Sequence, residues 1–111
     1  MANTFKLKTF DGSSSASDTA MTVYTSPAST SAVIIGLTIS NTLSTLVFIN
    51  VKINNADGDN AFLVKNAPIP QGGSIEIMNG NKIVLETGDA IEVYSNNANS
   101  VDTIVSVMEH S

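Results

Sequence analysis

Along this chain, apolar and polar residues alternate with a period of two, and the 3.6-residue period of an amphipathic helix is hard to find. From Val33 onward the odd positions Val33, Ile35, Leu37 and Ile39 are large and apolar, with Gly36, Thr38 and Ser40 between them. That pattern predicts a strand whose Val33/Ile35 side faces a core. After a turn at Asn41-Thr42-Leu43-Ser44, a second strand places Val47, Ile49, Val51 and Ile53 on one side and Asn50, Lys52 and Asn54 on the other. These two strands are expected at the centre of the core. Asn55-Ala56-Asp57-Gly58-Asp59-Asn60 then reads as a turn, because Asp-Gly between apolar runs suits the positive φ of a tight hairpin.

The same reading predicts strands at Ala61 to Asn66, stopped by Pro68 and Pro70, and at Ser74 to Met78, with Ile75 and Ile77 on one face. Lys82 to Glu86 is expected to return from a hairpin at Asn79-Gly80. Ala90 to Tyr94, with Ile91 and Val93 inward, and Val101 to Glu109 complete the C-terminal half. Near the N-terminus, Thr4 to Phe10 is expected as a strand with Phe5 and Leu7 inward, and Ala20 to Thr25 as another. Asp11 to Asp18 is Ser-rich and expected to be a flexible loop. The sum is about eight or nine short antiparallel strands in one domain over residues 1–111, an all-β sandwich of jelly-roll-like form.

Several of these strands carry apolar residues on both faces. Ile34, Leu46, Phe48, Val84, Ile104 and Met108 all fall opposite the expected core positions. A sandwich of 111 residues has few layers with which to cover both faces. These six residues are therefore the candidate subunit interface.

Composition narrows the partners. Only 14% of residues are charged, against about 25% in an average domain. Ser, Thr and Asn take their place, which suits packing beside other protein copies, where buried charges would need partners. All five cations are lysines (Lys6, Lys8, Lys52, Lys65 and Lys82), and ten acids give a net charge of -5. Nucleic-acid binding needs a basic footprint, usually rich in Arg, so nucleic acid is rejected as a partner. The same balance disfavours an anionic membrane. The apolar stretch Ala32 to Ile53 is long enough to span a bilayer, but Thr38, Asn41, Asn50 and Lys52 would be costly in lipid. The opening residues lack a basic region followed by an apolar core, so no secretory leader is expected. The chain has no cysteine, which removes disulfides, thiolate catalysis and cysteine-ligated zinc.

No constellation for chemistry emerges. His110 is the only histidine and sits beside the last residue, where chains fray, whereas a catalytic base needs a held position and an orienting partner. Asp57, Asp59 and Asp89 flank turn glycines, as turn chemistry alone would place them. The loop from Asn55 fails the calcium-loop pattern, because its sixth and twelfth residues are Asn60 and Asn66 rather than Gly and Glu. Gly72-Gly73 and Gly80 precede no helix that could cradle a phosphate. No catalytic, metal or cofactor residue is assigned, and the chain is expected not to be an enzyme. An alternative from another class is a carbohydrate- or ligand-binding module using Tyr24 and Tyr94 as outward platforms.

Three stretches carry a resemblance. Val23-Tyr24-Thr25-Ser26-Pro27 leads into the Val33–Asn41 strand; Pro70-Gln71-Gly72-Gly73-Ser74 and Leu85-Glu86-Thr87-Gly88-Asp89 form turns. From about Met21 to Glu109 the chain resembles small β-sandwich virion proteins of tailed bacteriophages. The resemblance implies a capsid decoration or cement protein, or else a neck, tail or baseplate adaptor. It further implies a homo-oligomer, with a trimer favoured, bound to the major capsid protein or other virion proteins. The chain would be made in the bacterial host cytoplasm and located in the virion.

Overall fold

The structure is a computed structural model that describes residues 3–12 and 17–111. The Ser-rich loop expected at 11–18 includes residues 13–16, which lie outside the described residues. The strands are β1 (Asn3–Phe10), β2 (Met21–Thr25), β3 (Ser31–Asn41), β4 (Val47–Asn54), β5 (Asn60–Ile69), β6 (Ser74–Glu76), β7 (Ile83–Leu85), β8 (Ala90–Ser95) and β9 (Val101–His110). All pair antiparallel.

The topology is a long hairpin rolled up. The hairpin bends at Asn55–Asp59, where the Asn55 N–H donates to the Asp59 carbonyl at 2.8 Å and Gly58 takes φ +108°. Outward from this bend β4 pairs with β5, β3 with both β6 and β7, β2 with β8, and β1 with β9. Rolling brings β9 beside β3 and β8 beside β4. Two sheets result: β1-β9-β3 with β6 and β7 along its far edge, and β2-β8-β4-β5. This is the jelly-roll arrangement of eight strands and two Greek keys, with the sixth strand present as two pieces, β6 and β7.

The core lies between the sheets. Leu37 and Ile39 of β3 face Val47, Ile49 and Val51 of β4 across it, together with Ile91, Val93, Val105 and Val107, all sealed from solvent. Burying a side chain of this size contributes about 1.5–3 kcal/mol before chain entropy is counted. Asn41 ends β3 and is itself buried. Its amide donates to the Thr45 and Ile69 carbonyls at 2.8 and 2.9 Å, and its own oxygen accepts the Leu43 N–H at 2.8 Å. One side chain thereby holds the loop that carries the chain from the first sheet to the second.

The structure corrects the expected pattern at four places. In β3 the register with β9 shifts between Ile34 and Gly36. This bulge reverses the alternation, because the extra residue changes which parity faces inward. Ala32 and Ile34 point into the core with Leu37 and Ile39, while Ile35 is 41% exposed. Ile34, at 0% exposure, therefore belongs to the core of the single chain and is removed from the candidate interface.

In β1, Phe5 lies opposite Met108 and Leu7 opposite Ser106, on the outer side of the sheet. Lys6 and Lys8, opposite Val107 and Val105, take the inner side. The sandwich is open along this edge, so lysine stems can lie inward while their ammonium groups stay wet.

The Asn79-Gly80 turn forms, with φ +49° and +83° and the Asn81 N–H on the Met78 carbonyl at 2.8 Å, but its flanking strands do not pair with each other. Both β6 and β7 pair with β3, and residues 77–82 make an excursion between them. Glu76 bridges the gap. Its Oε1 accepts the N–H groups of Leu37 (3.1 Å) and Met78 (2.9 Å), and its Oε2 accepts the Thr38 hydroxyl (2.8 Å). These bonds replace ladder partners that the interruption would otherwise leave unmade. Met78 is buried beneath the excursion.

Finally, β5 does not stop at Asn66. Asn66 takes φ +54° and donates its N–H to Asn50 Oδ1 at 2.9 Å, and the strand continues through Pro68 to Ile69. β5 is an edge strand, where a missing proline donor costs no ladder bond.

Candidate interaction surface

The two sheets present outer faces of different chemistry, and the register shows how each is built. On the first sheet, Phe5 of β1 lies opposite Met108 of β9, Met108 opposite Val33 of β3, and Val33 opposite Val84 of β7. An apolar row therefore crosses the whole sheet. The next row along the strands holds Leu7, Ser106 and Gly36, and the one after it Thr9, Ile104 and Thr38. Ile35, displaced outward by the bulge, adds a further apolar group beside Gly36. Phe5 is 72% exposed and Val84 63%. Charged groups lie at the rim of this face: Asp102 where Gly12 donates its N–H to Oδ1 (3.1 Å), and Glu76 beside Thr38.

The middle of the second sheet's outer face is polar. Lys52 and Glu92 lie opposite one another and form an ion pair at 3.4 Å. Thr22 and Asn54 also reach Glu92 Oε2, each at 3.4 Å. Asn50 sits opposite Tyr94. Apolar groups on this face gather toward the β5 edge: Phe48 opposite Pro68, and Phe62 with the Lys65 ammonium 4.7 Å from its ring centre.

Five of the six candidate interface residues thus remain at the surface, but on different faces. Val84, Ile104 and Met108 share the first sheet's outer face. Phe48 lies on the second sheet and Leu46 in the loop before β4. Phe5, Leu7 and Ile35 join the first group, and sequence reasoning placed all three inward. Their alternation was visible, but its sign depended on a bulge and on an open edge.

At that open edge the inner side of β1 faces β2 across a cleft of about 310 Å³ lined by Lys6, Lys8, Thr22, Val23, Tyr24, Thr25, Pro27 and Glu109. Glu109 is buried, accepts the Tyr24 hydroxyl and pairs with Lys6 at 3.0 Å. The Tyr24 bond, aided by Lys6, holds the Glu109 carboxyl below the usual carboxylate range despite burial. Burial and the same carboxylate push the Tyr24 hydroxyl well above the usual tyrosine value. Tyr24 is consequently an internal strut, and the expectation of an outward tyrosine platform fails there because its ring is enclosed between the sheets. Tyr94 is half-buried among polar neighbours. His110 is exposed, and its Nδ1 meets the Asn3 side chain where β1 and β9 end. Among the described residues, no three His, Asp or Glu side chains converge as metal ligands would.

The sequence matches no protein-family model and no curated protein. Solved structures do match the fold. A protein of the Bacillus endospore appendages, described as disulfide-linked pili, superposes with a TM-score of 0.54 at 14% identity, covering 99% of this chain and 87% of its own. A chain from the capsid of Helicobacter pylori bacteriophage KHP30 gives 0.52 at 10% identity, with coverage of 98% and 87%. A chain of infectious bursal disease virus, Gx strain, gives 0.54 at 12% identity; the match covers 96% of this chain but only 32% of the viral one. The jelly roll is shared with a phage capsid chain and a spore pilus protein. At these identities the likeness concerns the fold, and the function has to be argued from the surface.

Proposed function

We propose that this chain is a structural protein of a bacteriophage virion, a capsid decoration or cement protein that binds the assembled shell as a homo-oligomer and catalyses no reaction. The observation that carries this reading is the outer face of the β1-β9-β3 sheet. Apolar side chains cross it strand by strand, and among the described residues none covers them. Scattered surface apolar residues need no explanation, but a contiguous face marks an interaction site. The fold supports the reading, because its solved neighbours include a phage capsid chain and an appendage subunit. The turn motifs that resemble tailed-phage virion proteins support it as well.

The mechanism is mass action. A subunit that binds only the assembled state stabilises that state, and many modest contacts reinforce one another across a lattice. With no cysteine in the chain, such an assembly is held by packing and hydrogen bonds rather than by disulfides.

Counting copies of the chain in purified particles tests the role. A copy number matching that of the shell subunits supports a decoration protein. A number matching a single ring supports the neck, tail or baseplate reading instead. Absence from particles overturns both.

A further inference from the structure

We infer that the outer face of the β1-β9-β3 sheet is covered by the same face of a second copy, stacked across a twofold axis, with Phe5 of each copy seated on Ser106 and Gly36 of the other. This deepens the reading above and rests on it.

The relief of the face comes from its register. Ser106 lies opposite Leu7 on one side and Gly36 on the other, and Met108 and Ile104 stand two residues away along the same strand. Gly36 has no side chain, and a Cβ built there would come only into ordinary van der Waals contact with Ser106 Cβ, at 3.8 Å, so the two small residues form a low floor. It is ringed by Leu7, Met108, Val33, Ile35 and Ile104. A small-residue floor inside an apolar ring is a socket. Phe5, at 72% exposure, stands one strand across and two residues along from Ser106. Knob and socket therefore lie side by side on one face. An axis between them, near Leu7 and Met108, would place each Phe5 over the other copy's socket. That is the self-complementarity an isologous pair requires.

The self-complementary relief and the area point to a second copy as the occupant, and the charge distribution permits it. Each copy carries a net charge of -5, so copies repel unless they meet where charge is absent, and the centre of this face is uncharged. A strongly charged partner would find nothing there to pair with. The face is four strands wide and, along β1, 8 residues long. With strands about 4.8 Å apart and a rise of about 3.4 Å per residue, two copies bury on the order of 1,000 Å². That is near the lower limit of a specific interface, so the dissociation constant is expected on the order of 10 µM.

The test is sedimentation equilibrium of the full chain from about 1 to about 200 µM. A reversible dimer is expected. Phe5→Ala should weaken it about tenfold or more. Ser106→Leu should weaken it comparably by filling the socket, although it adds apolar surface. Phe62→Ala, on the other sheet, should leave it unchanged. Thermal unfolding of each variant confirms that the fold is retained. A monomer throughout, a trimer, or a dimer strengthened by Ser106→Leu would overturn the inference. Repeating the copy count on particles separates the two claims. A monomeric chain present on particles sinks the twofold pair and keeps the role. A dimer absent from particles does the reverse.

Discussion

The two outer faces of this jelly roll are both made of strands alternating at period two, yet one is apolar and the other is charged and hydrogen-bonded. On the second sheet, Lys52 and Glu92 sit opposite each other and are joined by Thr22 and Asn54, an arrangement that water and salt bridges satisfy equally well. On the first, Phe5, Met108, Val33 and Val84 follow one another across four strands. A polar face is at rest in solvent. An apolar one gains from being covered, by about 25 cal/mol for each Å² removed from water. The asymmetry fits the proposed assembly, in which the apolar side of the domain meets protein and the polar side faces solvent.

The largest test of this comparison lies at the bulge that divides β3. Ile34→Ala should destabilise the fold by about 2–5 kcal/mol, because it opens a cavity in a sealed core. Val84→Lys, on a strand paired with the same stretch, should change stability by no more than about 0.5 kcal/mol. Chemical denaturation of the two variants checks the pair. Equal effects would mean that the bulge does not set the parity. Next in size, Glu76→Ala removes the acceptor for two backbone N–H groups where the chain breaks between β6 and β7, at an expected cost of about 1–3 kcal/mol. Hydrogen exchange at Leu37 and Met78 should accelerate in that variant. A loss smaller than that at Glu76 belongs to the polar face: Lys52→Ala should cost about 0.2–1 kcal/mol by the same denaturation.

pH sharpens the picture from a different side. Burial raises the Glu76 carboxyl, but N–H bonds from Met78 and Leu37 and the Thr38 hydroxyl outweigh it, so Glu76, like Glu109, sits below its ordinary value of 4.5. The unfolded chain therefore takes up protons first. Their stabilisation is fully present above pH 4.5 and is lost as the pH falls below it through the folded values. Tyr24 works in the opposite sense. The unfolded tyrosine ionises near 10 while the folded one resists, so its contribution is lost as the pH rises above 10. Melting temperatures measured across pH should fall at both ends, and Glu76→Gln should flatten the acid limb.

Much of the fold was legible because strand periodicity and turn chemistry are local. Val47, Ile49, Val51, Ile91 and Val93 face the core as their alternation indicates, and the Asp-Gly, Gly-Gly and Gly-Asp turns lie where their residues place them. The candidate surface was legible in part, since Val84, Ile104 and Met108 oppose core residues in plain alternation. The rest depended on neighbours distant in sequence. Asn79-Gly80 makes its turn, but β3 offers both flanking segments a better partner than they offer each other. Pro68 is compatible with a strand once that strand is an edge.

The sequence by itself determined that this is an all-β chain with two-faced strands, an acidic balance and no cysteine. Those properties are written in residue types and their spacing. Tertiary structure decided which face each apolar set occupies. A bulge against β9 turned Ile34 inward and Ile35 outward, and an open edge let Lys6 take the inner side so that Phe5 took the outer. Period two fixes which residues share a face, while only pairing with a partner strand fixes which face is the core.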